Sequence, residues 1–92
     1  MGVEQVADSS EMMRELTSYI AEKVINGKSE ITADTRLVSS GLVDSFAMID
    51  IFLELQRIVG RKVPASKVQA KDMETVRTMF ATAEKFGRPA KS

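Results

Sequence analysis

Apolar residues recur along this chain at the spacing of helical faces, and nowhere alternate with the two-residue period of a half-buried strand. Met13, Leu16, Ile20 and Val24 mark one face of a first segment running from about Ser9 or Ser10 to Val24. Either serine can cap its start, and Asn26-Gly27 supplies residues that tolerate the left-handed end of a helix. A second segment spans Asp44 or Ser45 to about Val59, with Gly60 as its stop. A last one begins near Asp72 and ends near Phe86, with Met73, Val76, Met79, Phe80, Ala83 and Phe86 in a single arc. Before it, Val63-Pro64 is an extended step, and Ala65 to Val68 has room for one short helical turn.

From Gly27 to Val43 the periodicity is lost, and Ile31, Leu37 and Leu42 are scattered apolar anchors among Thr, Asp, Ser and Gly. Loops longer than about 12 to 15 residues are uncommon in compact domains and are usually functional or disordered. The anchors predict an ordered loop laid over a core. The expected fold is an all-α bundle of three main helices plus one short third helix, with this long loop between the first two.

On a helical wheel the second segment separates into two apolar groups. Met48, Ile51, Phe52, Leu55, Ile58 and Val59 cover an arc of roughly 120°, wide enough for a core face. Phe46, Ile49 and Leu53 form a second stripe beyond Ser45 and Gln56, while Asp50, Glu54 and Arg57 hold the polar remainder. Two readings stand. The helix is central and both stripes are core, or the second stripe is an exposed docking strip rimmed by Asp44, Asp50 and Glu54.

The chain has 92 residues, the size of one small domain, with an ordered core expected over about 9–86 and fraying at 1–8 and 87–92. Thirteen basic residues balance thirteen acidic ones, so no overall field draws it to nucleic acid or an anionic membrane. There is no cysteine and no histidine. Their absence excludes disulfides, Cys-His dyads, Ser-His-Asp triads and the usual zinc sets. An autonomous hydrolase is therefore disfavoured, and no metal site is expected. No apolar run approaches the roughly 20 residues of a membrane span, and the N-terminus lacks a basic region followed by an apolar one, so the chain is expected to be cytoplasmic without membrane insertion; a monomer is also expected.

Ser45 has a plain structural reading, since Ser or Asp at a helix start most often caps free backbone N–H groups. The same geometry suits modification, because a helix N-terminus stabilises negative charge such as an esterified phosphate. Asp44 can cap while Ser45 is modified, with Gly41 turning the loop to present it.

In these residues the chain resembles the acyl carrier proteins. The match comprises Leu37, Gly41-Leu42-Val43-Asp44-Ser45-Phe46, Leu55, Val63-Pro64, Asp72 and Thr75-Val76, and so spans nearly the whole sequence. The resemblance implies a four-helix carrier that is not itself an enzyme. A phosphopantetheinyl transferase would attach 4'-phosphopantetheine from coenzyme A to Ser45, and its thiol would carry an acyl or aminoacyl group between acyl-loading and acyl-using enzymes. It also implies partner recognition by Asp44, Phe46, Met48, Ile49, Asp50 and Leu53, and a cargo space lined by Leu37, Phe52, Leu55 and Val63. Ala47, Gln56 and Arg57 stand where fatty-acid carriers are often acidic, which favours a dedicated partner set in another pathway. The alternative is a small helical interaction module with no prosthetic group.

Overall fold

The structure, a computed structural model, describes residues 9–89. Of the ends expected to fray, 1–8 and 87–92, residues 1–8 and 90–92 lie outside the described residues. Three α-helices carry the fold: α1 (Ser9–Tyr19), α2 (Ser45–Val59) and α3 (Val76–Phe86), each packed against the other two. Among the described residues the regular structure is helical apart from a two-residue antiparallel bridge between β1 (Arg61–Lys62) and β2 (Arg88–Pro89). In that bridge Arg61 stands opposite Pro89 and Lys62 opposite Arg88.

The first helix does not run unchanged to Val24. From Ile20 to Val24 it widens into a π-helical turn, in which the Ile25 N–H donates to the Ile20 carbonyl at 3.0 Å. On a regular helix Ile20 and Ile25 would face about 140° apart. The wider turn brings both into the core, where each is buried. Left-handed Asn26 (φ 56°) and Gly27 (φ 72°) then end it, the Gly27 N–H donating to the Ala21 carbonyl at 2.7 Å.

The second helix begins and ends as its sequence predicts. Asp44 is the cap, and Gly60 closes it in the left-handed conformation (φ 68°) with its N–H on the Gln56 carbonyl. The stretch after it forms two 3₁₀ turns, Ala65–Lys67 and Ala70–Met73, in place of one short helix. Asp72, expected to open the last helix, instead closes the second turn by accepting the Gln69 N–H at 2.8 Å. Extended backbone at Thr75 separates that turn from α3, and the Thr75 hydroxyl caps α3 by accepting the Thr78 N–H at 3.1 Å.

The core forms where the helices meet. Leu16 and Ile20 meet Ile51 and Leu55 of α2 and Val76, Met79, Phe80 and Ala83 of α3, all buried. Each of these side chains larger than alanine contributes about 1.5 to 3 kcal/mol on removal from water, before entropy is counted. The 27–43 loop is ordered. Leu37 and Val43 are its buried anchors, while Ile31 and Leu42 are only partly covered. It is tied to α3 by the Arg77 N–H on the Ala33 carbonyl at 3.0 Å and by the Arg77–Asp34 ion pair at 2.6 Å. Among the described residues, no helix is long and apolar enough to cross a membrane.

Candidate functional site: the N-terminus of the second helix

Gly41 turns the loop toward α2. Its φ of +83° is left-handed, and its N–H donates to the Val38 carbonyl at 3.0 Å. Two residues later Val43 is buried and ties back through its N–H to the Leu37 carbonyl at 3.0 Å. Asp44 follows in extended conformation, and its Oδ1 accepts the Ala47 N–H at 2.8 Å. The cap is therefore the aspartate. Ser45 is the first helical residue, exposed, with a hydroxyl that bonds to no described residue. The N–H groups of Ser45 and Phe46 also find no acceptor among the described residues.

The second apolar stripe is on the surface. Phe46 is 84% exposed, and Ile49 and Leu53 are each 58% exposed. Of its acidic rim, Asp44 is engaged as the cap and Glu54 is held by Arg57, which reaches across to Glu15 of α1 at 2.9 Å. The hydrogen bond from Arg57, with its charge, lowers the Glu54 carboxyl below its usual range. Asp50 is exposed and pairs with no cation among the described residues. The margin of the strip is therefore net acidic, since capping leaves the Asp44 carboxylate charged and Arg57 offsets Glu54 alone among the three acids while also pairing with Glu15.

Beside the strip, α2 and the two 3₁₀ turns enclose an open, mostly apolar cleft of about 520 Å³. Ser45 lies at its edge, and Met48, Ile49, Phe52 and Leu53 continue down the same wall. Val68 and Met73 from the 65–73 stretch and Val38 of the loop complete its lining. Of the residues expected to line a cargo space, only Phe52 reaches this cleft. Leu37, Leu55 and Val63 are in the closed core, almost without exposed surface. Met48, placed both in the core arc and in the recognition set, is partly buried and opens on the cleft.

Residues 45, 48, 49, 52 and 53 are spaced i, i+3, i+4, i+7, i+8, a stripe that straddles the two groups of the wheel. That pattern was readable in the sequence. The facing residues Val38, Val68 and Met73 carry no such period, and nothing in the sequence pairs them with α2.

Chemically, the site offers an unencumbered primary hydroxyl at a helix N-terminus, on the edge of an apolar cleft. No described side chain acts on that hydroxyl as a base, and no group of three or more metal-ligating side chains occurs among the described residues. Compared with models of known families, with curated proteins and with solved structures, the chain matches none.

Proposed function

We propose that this domain is an acyl carrier, modified on Ser45 by a phosphopantetheinyl transferase with coenzyme A as donor. The observation that carries the reading is the division of labour at the start of α2: Asp44 caps, so the Ser45 hydroxyl is exposed and free to be esterified. 4'-Phosphopantetheine supplies the thiol that a cysteine-free chain lacks, on which an acyl or aminoacyl group rides as a thioester. The residues present fit such a group. Ser45 offers the attachment oxygen, and the free N–H groups of Ser45 and Phe46 face the charge of a phosphate there, an effect worth about 0.3 to 1 kcal/mol.

Phe46, Ile49 and Leu53 form the surface for partner enzymes, with Asp44 and Asp50 at its margin and Met48 at the junction with the cleft. The apolar strip with an acidic rim suits partners whose apolar docking groove is flanked by basic residues. The cleft walled by Phe52, Met48 and Met73 gives an apolar cargo a place against the surface, while the closed core below excludes it. In this reading the two 3₁₀ turns at residues 65–73 take the place of the short third helix of a four-helix carrier. The domain delivers cargo, and the chemistry belongs to its partners.

The exposed strip by itself also fits a protein-interaction module with no prosthetic group. Incubation with coenzyme A, magnesium and a broad-specificity transferase, followed by intact-mass measurement, separates the two. The carrier gains one phosphopantetheinyl group per chain, whereas an interaction module stays at its original mass.

A further inference from the structure

Within the loop that delivers Ser45, the stretch from Leu37 to Ser39 is held by Glu74, the neighbour of the cleft-lining Met73. Glu74 occupies the corner between the second 3₁₀ turn and α3. Its carbonyl accepts the Leu37 N–H at 2.8 Å. Its carboxylate accepts the Ser39 N–H, with Oε1 at 3.3 Å and Oε2 at 3.1 Å, and the Ser39 hydroxyl at 2.7 Å. Val38, between those two residues, and Met73, next to Glu74, both line the cleft. From Leu37 the connection continues to the Val43 N–H at 3.0 Å, and Val43 is followed by the Asp44 cap and Ser45.

The corner that carries Glu74 is itself fixed. The Thr75 hydroxyl caps α3, and the Thr78 hydroxyl donates back to the Asp72 carbonyl at 2.9 Å. By contrast, residues 38–41 are exposed and have little apolar burial to hold them. Ser40 braces the loop only to itself, through its hydroxyl on the Arg36 carbonyl at 2.5 Å. Among the described residues, the Glu74 carboxylate is the side chain whose hydrogen bonds join this exposed segment to the helical frame.

We propose, on the carrier reading above, that Glu74 is a positioning residue for modification of Ser45: its carboxylate holds loop 37–43 in the conformation that a transferase recognises. The residue touches no reacting atom. It acts by keeping the binding-competent loop populated, so that its loss is a population effect and raises the apparent KM for the carrier, leaving kcat unchanged.

The test is steady-state transfer from coenzyme A to the full chain and to its Glu74→Ala, Glu74→Gln and Ser39→Ala variants, well below their melting temperatures. Glu74→Ala should raise the KM for the carrier by about tenfold at unchanged kcat. Glu74→Gln, which keeps an acceptor oxygen, should stay within about threefold of the original chain, and Ser39→Ala should fall between them. Amide hydrogen exchange across residues 37–43 should speed up in the same order. Should Glu74→Ala not fold, Ser39→Ala and Glu74→Gln carry the comparison. Equal KM values for all four chains overturn the positioning role and leave the carrier standing. Absence of transfer to the unaltered chain overturns the carrier reading, and this proposal with it.

Discussion

Oδ1 of Asp44 accepts the Ala47 backbone N–H at 2.8 Å, so the acid next to the serine satisfies the helix and the serine does not. Asp44→Ala should then lower the unfolding free energy by about 1 kcal/mol, the usual cost of a lost cap. Ser45→Ala should change it by less than about 0.5 kcal/mol, as for an exposed side chain without partners. Urea denaturation of the two variants checks this, and a larger loss for Ser45→Ala would show that the serine caps after all.

Leu53 and Leu55 lie two positions apart on α2 and have opposite surroundings, 58% exposed against 1%. Leu55→Ala should cost about 2 to 5 kcal/mol through lost burial and the cavity left behind. Leu53→Glu should leave the unfolding midpoint within about 0.5 kcal/mol of the original while weakening partner-dependent transfer. A collapse of stability in Leu53→Glu would return that residue to the core.

Gly41 stands in open space, with nothing within 4 Å of an added Cβ, so only its φ of +83° resists substitution. Gly41→Ala should therefore destabilise by about 1 to 2 kcal/mol, the strain of a left-handed L-residue, with no packing contribution. Denaturant unfolding measures the loss. A neutral result would mean that the turn at residues 38–41 can relax to another form.

Three carboxyls should make the fold acid-sensitive. A hydrogen bond from Arg77 lowers Asp34, one from Arg57 lowers Glu54, and the Ser39 hydroxyl and N–H lower Glu74. A depressed value in the folded state means that the ionised form favours folding. The contribution is therefore complete above the ordinary values, 3.8 for Asp34 and 4.5 for the two glutamates, and is lost as pH falls through the lower folded ones. The urea midpoint should be level from about pH 7 to 5 and decline below that. Arg77→Leu should flatten part of the decline, and an unchanged slope in that variant would remove Asp34 from the account.

Helix α2 was legible almost to the residue, because its cap, its two stripes and Gly60 are all local signals. The start of α3 was not. Met73 shares the apolar arc of α3, so periodicity alone extended the helix to Asp72, and only the Thr75–Thr78 capping pair reveals the break. The π-helical turn after Tyr19 was equally hidden, since it is set by the shared burial of Ile20 and Ile25. At the site, the serine and the exposed strip could be read from one helix. The cleft could not, because the rest of its lining comes from Val68, Met73 and Val38, in segments without a period. The same distance in sequence concealed the Ser39–Glu74 contact, which spans 35 positions.

The central claim is that Ser45 is the attachment point of a swinging thiol arm. Its most direct test is mass spectrometric mapping of the chain after incubation with coenzyme A and a transferase, run beside Ser45→Ala. We predict a single phosphopantetheinyl group, located on the peptide that carries Ser45, and none on the variant. An unmodified chain, or equal modification of Ser45→Ala, would contradict the claim.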